Sequence, residues 1–271
     1  MIIDSQVHIW NRTKPGVLLR SHLPGPPGPF TAERLLGMMK DAGVDKAILV
    51  PPSAELDGND VVLAAARAHP ERFAVMGRFD ADAPGMPDQL ARWRDTPGML
   101  GLRLVLRGET AAWLDDPRYA WLWRTAEMAG VPMMLFAPGL LPQVEAVARR
   151  HPGLRLAIDH CAIPVGTLDA DVKPHIDALL PLARLPNIAV KVSAMARYSS
   201  QPYPFTPVHE HIRRVIEAFG PERAFWGADI STLQCSYAEI VRLFTEALGL
   251  SESEKALVMG RALARWLRWE A

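Results

Sequence analysis

The chain has 271 residues, 30 basic and 30 acidic side chains and a formal net charge of zero, so its electrostatics select neither nucleic acid nor an anionic membrane as partner. Hydrophobic residues make up 49% and charged residues 22%, a mixture that excludes a disordered chain, and no stretch approaches the roughly 20 apolar residues needed to span a bilayer. The two cysteines, Cys161 and Cys235, are too few for a disulfide framework and lack metal-ligand spacing. The opening MIIDSQVHIW has no basic region followed by an apolar run. The expectation is a cytoplasmic protein with a small-molecule partner, its oligomeric state left open.

Along the chain, short β-type runs alternate with segments of helical spacing, the pattern that builds parallel sheets. The runs are Ile2 to Ile9, Ala47 to Val50, Phe73 to Arg78, Leu100 to Leu106, Val131 to Phe136, Arg155 to Ile158, Ile188 to Ser193 and Ala224 to Ala228. Eight such units favour a (β/α)8 TIM barrel, one domain over residues 1–271, although the same units could be wound as an open sheet. Thr31 and Asp116-Pro117 read as helix starts, and Gly43 and Gly130 as stops. After the eighth run, a helix from Ser236 to Leu248 precedes an extra C-terminal helix, Ser251 to Trp269, expected to pack across the outside of the barrel. Two long connections, Asn11 to Phe30 and Ala196 to Pro207, follow strands and so stand at the C-terminal face, where they are expected to act as lids.

Three strand ends carry ionisable groups that must be paired or used. Strand one bears Asp4, Gln6 and His8 at period two, which puts all three on one side with His8 nearest the mouth. Strand six runs into Asp159-His160, and strand eight ends in Gly227-Ala228-Asp229. Each alone has a structural explanation; together, His8, His160 and Asp229 are the candidate catalytic set. Arg103, if its side chain enters the barrel, offers forked donors to a carboxylate or a polarised carbonyl. Arg78 and Arg107 are equally readable as solvated strand ends or as partners for Asp80. Lys191 reads as readily as a structural ion pair, while Tyr198, Tyr203 and His209 belong to the second lid. Trp10 and Trp226 flank the site, whereas Trp121, Trp123, Trp266 and Trp269 fall on helices. Cys161, next to His160, is expected on the opposite face of the strand and inert. No Gly-x-Ser-x-Gly elbow supports a serine triad.

IIDSQVHIW at residues 2–10, AIDHCAIP at 157–164, KVSAMARYS at 191–199 and FGPERAFWGADIS at 219–231 resemble, in order, the signatures of the amidohydrolase-related family. The similarity is greatest to its branch of 2-pyrone-4,6-dicarboxylate and sugar-lactone lactonases. The segments at 58–80, 100–108 and 116–132 also fit that branch, so the resemblance covers nearly the whole chain. Such enzymes typically carry a His-x-His pair on strand one, where this chain has Gln6 and His8, and a strand-five histidine, where it has Phe136. With two ligands gone, the resemblance implies a lactone hydrolase that needs no metal, in which Asp229 serves as general base and His8 and His160 orient water or donate to the oxyanion. Arg103, Gln6, Trp10, Arg78 and Tyr198 are the candidate substrate contacts. The alternative retains one zinc on His8, His160 and Asp229, Gln6 adding a weak ligand, and a decarboxylase or hydratase reaction on an aromatic or dienoic acid. A third reading, a ligand-binding barrel without activity, fits the three polar strand ends least well.

Overall fold

The computed structural model describes residues 1–11, 28–52 and 58–269. Eight strands pair side by side in chain order: β1 (Ile3–Val7), β2 (Lys46–Leu49), β3 (Phe73–Arg78), β4 (Met99–Val105), β5 (Met133–Phe136), β6 (Leu156–Ile158), β7 (Ile188–Ser193) and β8 (Ala224–Gly227). Each of the seven pairings is parallel. Helices return the chain between strands: α1 (Ala32–Ala42), α2 (Asp60–Ala68), α3 (Met86–Ala91), α4 (Ala120–Met128), α5 (Leu141–Arg150), α6 (Val172–Leu179) and α7 (His209–Phe219). After β8 come α8 (Tyr237–Arg242), α9 (Glu252–Ala256) and α10 (Ala262–Leu267). This is the (β/α)8 barrel. Among the described residues no helix is long and apolar enough to cross a membrane.

Strand alternation sorts the core into two clusters. Ile48, Ala74, Met76, Met134, Ala157, Ala189 and Phe225 fill the barrel, while Leu49, Val75, Leu135, Ile158 and Val190 face the helices. Helix ends follow local chemistry. The Thr31 side chain accepts the Arg34 backbone N–H, and Gly43 closes α1 at φ 73°, a left-handed turn that glycine adopts without a Cβ clash. Asp116 caps a tight turn at Pro117–Tyr119, so α4 proper starts three residues later than the proline suggests.

Two expectations are corrected. Strict alternation in strand one fails because its register against β2 shifts between Asp4 and Val7. That extra residue resets the faces: Ile3 joins the barrel interior, Asp4 points outward to the Tyr237 hydroxyl, and Gln6 and His8 point in. The last helix does not lie across the outside. Ala262, Leu263 and Leu267 of α10 belong to the barrel-interior cluster together with Ile3 and Phe225 at the starts of their strands. The Trp266 ring lies 5.9 Å from that of Phe225, and Lys46 sits over Trp269. The C-terminal segment therefore closes the barrel's N-terminal end. Gly260 permits this approach, since a Cβ there would stand 3.0 Å from Ile3 and from the Met1 carbonyl oxygen.

The bulge also closes the seam between β8 and β1. Asp4 Oδ1 accepts the backbone N–H groups of Gln6 and Ala228, both at 2.9 Å, and the Asp229 N–H donates to the Gln6 carbonyl at 2.9 Å. A side chain at Gly227 would meet Ser193 Cβ at 3.0 Å and Asp4 Oδ1 at 3.3 Å, so only glycine lets the strands come this close. Asp229 is thereby held against β1.

Candidate active site

Three of the expected residues meet at the C-terminal mouth. His8 Nε2 lies 3.3 Å from Asp229 Oδ1, and His160 Nε2 lies 3.8 Å from Asp229 Oδ2. They border a cavity of about 770 Å³ that is also lined by Arg103, Arg107, Phe136 and Arg197. His160 and Asp229 do not stand in strand conformation. β6 ends at Ile158, after which His160 (φ 51°), Cys161 (φ 53°) and Ala162 (φ 54°) are left-handed, as are Ala194 (φ 57°) after β7 and Asp229 (φ 50°) after β8. For residues with a Cβ this conformation costs on the order of 1–2 kcal/mol each. The turns aim His160 and Asp229 into the mouth.

The same turn revises the reasoning about Cys161. It is isolated by that left-handed turn rather than by strand alternation: fully buried, it places Sγ 3.7 Å from the Lys191 carbonyl, and burial pushes its thiol far up. It is buried, as expected, and burial disfavours its thiolate.

Proton positions follow from partners that can only accept or only donate. His8 Nδ1 lies 2.6 Å from the Val50 carbonyl oxygen, so Nδ1 carries the hydrogen. Burial lowers the pKa of His8, and it lowers that of His160 to about 4, so both rings are neutral near pH 7. His160 Nδ1 is 2.8 Å from Ser193 Oγ, which fixes its ring plane. Burial works against the Asp229 carboxylate, yet its pKa is lowered by the histidines, when charged, and by Arg197. Because the histidines have lost their protons by neutral pH, Arg197 is the lasting cause. Its Nη2 donates to Asp229 Oδ2 at 3.0 Å, and Thr232 Oγ1 donates to the same oxygen at 3.0 Å. Asp229 Oδ1, buried, has no hydrogen-bond donor among the described residues.

Behind this layer lies a charged one. Arg103 does enter the barrel, where its Nε donates to Asp159 Oδ2 at 3.1 Å and its guanidinium stands 5.9 Å from the Phe136 ring centre. Asp159 Oδ1 pairs with Lys191 Nζ at 3.0 Å. Burial would raise the Asp159 pKa, but the two cations outweigh it and hold the carboxyl at about 2. Gln6 is wholly buried beneath His8, between that ring and Lys191.

The other candidates lie elsewhere. The Trp10 indole donates to the Gly28 carbonyl at 3.1 Å beside Phe30, and the Tyr198 hydroxyl donates to the Ile163 carbonyl at 3.1 Å from a fully buried position. Arg78 binds Asn59 through its backbone and reaches the Pro52 carbonyl at 3.5 Å. None of these three is among the residues lining the cavity. Trp226 is buried and stacks on Tyr237. The body of the first lid, residues 12–27, lies outside the described residues; its ends are joined by the Trp10–Phe30 bridge. The second begins as a tight turn, Met195–Tyr198, and its Ala196, Arg197, Ser199 and Ser200 wall the cavity. Sequence reasoning overlooked Arg197 and the part played by Asp159. Asp159 adjoins the strand-end candidate His160 and Arg197 adjoins the lid residue Tyr198, so a charge next to a residue already singled out is the signal that would have found both.

A two-histidine, one-carboxylate set is a chemically reasonable zinc ligand set, but as arranged it does not fit one. No group of three or more ligating side chains among the described residues converges on a metal position. Asp229 Oδ2 is committed to Arg197 and Thr232, and the Gln6 amide stands 3.2 Å from His8 Nε2, on the lone pair a metal would need. The Phe136 ring, 5.7 Å from that of His160, brings no donor. Arg103, Lys191 and Arg197 already outnumber Asp159 and Asp229, and a divalent ion would raise that excess of positive charge.

A model of the amidohydrolase family matches residues 3–269. The chain is 28% identical to an L-fucono-1,5-lactonase of Burkholderia multivorans, over 97% of this chain and 94% of that one. Its fold is similar to that of an amidohydrolase from Burkholderia multivorans with bound zinc (TM-score 0.82, 24% identity, 99% of both chains). It is also similar to a putative 2-pyrone-4,6-dicarboxylic acid hydrolase from Pseudomonas putida (TM-score 0.76, 24% identity, 100% of this chain and 98% of that one).

Proposed function

The chain belongs to the amidohydrolase family, and from that premise we propose that it is a hydrolase that opens a lactone, with Asp229 as general base and no essential metal. The observation that carries this reading is Asp229: the residue lines the cavity, and its buried Oδ1 has no hydrogen-bond donor among the described residues. The lactonase among its relatives supports the choice of bond.

In this mechanism a water rests on Asp229 Oδ1 and attacks the lactone carbonyl. The O–C bond forms as Asp229 takes the proton, a contribution of about 10² to 10⁴ in rate. The tetrahedral oxyanion needs donors. His8 supplies none at Nε2, because its proton is on Nδ1 facing Val50. This reading has the Ser193 hydroxyl, 2.8 Å from His160 Nδ1, as the donor of that pair, which puts the ring's hydrogen on Nε2 and makes His160 a donor, with Arg103 also lining the cavity. One such donor is worth about 2.7–4 kcal/mol. Collapse breaks the ring C–O bond, and the Asp229 carboxylic acid returns its proton to the departing alkoxide, leaving a hydroxy acid. Without a metal to acidify water, the substrate must be intrinsically reactive, and an ester has a far less basic leaving group than an amide. The role of Asp229 Oδ2 is to hold Arg197, which keeps the base ionised.

The test is a panel of sugar 1,5-lactones and carboxylate-bearing pyrones, followed by acid release. Turnover of at least one lactone, lost in Asp229→Asn, is expected. No turnover across the panel, or equal turnover in the variant, would contradict the reading.

A further inference from the structure

The reaction as written leaves one buried charge without a task. Lys191 on β7 is completely enclosed, and burial lowers its pKa in spite of Asp159. Its Nζ donates to the Gln6 side-chain oxygen and to Met134 Sδ at 3.3 Å, and it forms an ion pair with Asp159 Oδ1 at 3.0 Å. An ammonium only donates, so the Gln6 carbonyl oxygen must face it, and the Gln6 –NH2 must face the other way. There it meets His8 Nε2 at 3.2 Å, while the second ring nitrogen donates to Val50. Each contact fixes the next.

We propose that Lys191 is a positioning residue: by orienting the Gln6 amide it joins the Val50 carbonyl in holding His8 with its hydrogen on Nδ1, and so keeps Asp229 Oδ1 free to accept a proton. This rests on the reading of Asp229 as the base. Were the hydrogen on Nε2, His8 would donate across the 3.3 Å gap to Asp229 Oδ1 and occupy the lone pair that the attacking water requires. Asp159, pinned between Lys191 and Arg103, anchors the relay at its far end. The arrangement also explains why glutamine is suited to position 6: it accepts on one side and donates on the other.

The experiment reads the tautomer directly, by ¹⁵N NMR of histidine-labelled protein without substrate, with His8→Ala assigning the signal. Wild type is expected to show Nδ1–H. Gln6→Glu, nearly isosteric, still accepts from Lys191 but presents an oxygen to His8 Nε2 and draws a hydrogen there. In that variant kcat should fall about tenfold or more while KM stays within about twofold. Lys191→Met, which frees the amide to turn over, should give a mixed tautomer and an intermediate kcat. If either variant fails to fold, Gln6→Met removes both amide contacts and is read in the same way.

An Nε2–H signal in wild type overturns the proposal. So does an unchanged Nδ1–H in the folded variants, or a switched tautomer with unchanged kcat. Since the tautomer needs no substrate, the expected spectra without lactone turnover would fault the assigned reaction and not the relay.

Discussion

The two ends of the barrel are built on opposite terms. At the N-terminal end Ile3, Phe225, Leu263 and Leu267 pack into one apolar cluster. At the C-terminal end, three successive strands end in left-handed residues with side chains, and two aspartates and His160 lie buried, with His8 half-buried, among arginines and a lysine. Apolar packing of that kind contributes stability, whereas strained backbone and an unpartnered carboxylate oxygen cost it. The difference indicates where this molecule can be altered without loss of activity and where it can be altered without loss of fold.

Asp229→Asn should separate the two ends most sharply. It keeps the shape and the Arg197 contact but removes the proposed base, so kcat should fall by about 10³, with thermal unfolding and circular dichroism close to wild type. Leu263→Ala is its counterpart at the other end. Leu263 is fully buried, and its truncation should cost about 2–5 kcal/mol in chemical denaturation while leaving the kcat of the folded fraction unchanged. A loss of kcat in Leu263→Ala would show that the ends are coupled and would break the comparison.

Asp4, on the seam between β8 and β1, gives a smaller effect with a definite sign. Burial raises its pKa to about 7 in spite of the Tyr237, Gln6 and Ala228 donors. A folded-state pKa above the unfolded value gives stability that is full below the unfolded pKa, near 4, and is lost as pH rises to about 7. Asp4→Asn, which imitates the protonated form, should lack that loss. Its stability relative to wild type should climb by at most about 1.4 kcal/mol per pH unit between pH 4 and 7 and then level off. His160 acts in the opposite sense, since its depressed pKa makes stability fall as pH drops from about 6.5 to 4. It is common to both proteins and cancels in the difference. A flat difference would place the Asp4 pKa near its ordinary value.

Most of the frame was legible in the sequence because strand periodicity is a local property. The eight apolar runs each became a strand within two residues of the expected bounds, and Thr31 and Gly43 delimited α1 as their chemistry required. What periodicity could not show is what depends on a neighbour. The bulge in β1 exists only in its register against β2, and it moves Asp4 to the far face from Gln6 and His8. The left-handed turn at His160–Ala162 carries no glycine to announce it. Helical spacing marks an amphipathic C-terminal segment but not whether it covers the side of the barrel or its end. In the site, the three groups that meet were read from strand ends, where the topology fixes their place. Arg197 was passed over because a loop residue gains its role from the turn that folds it back, and Trp10 and Tyr198 were singled out by type although their polar atoms are taken by backbone carbonyls.

The central claim is that Asp229, ionised by Arg197 and left free at one oxygen, does the work that a metal does in other hydrolases. It is tested most directly by measuring metal content and lactone turnover on one preparation before and after exhaustive chelation. The account predicts turnover that survives at far below one metal per chain. Near-stoichiometric zinc, with turnover abolished by the chelator and restored by adding zinc back, would contradict it and make His8, His160 and Asp229 ligands instead.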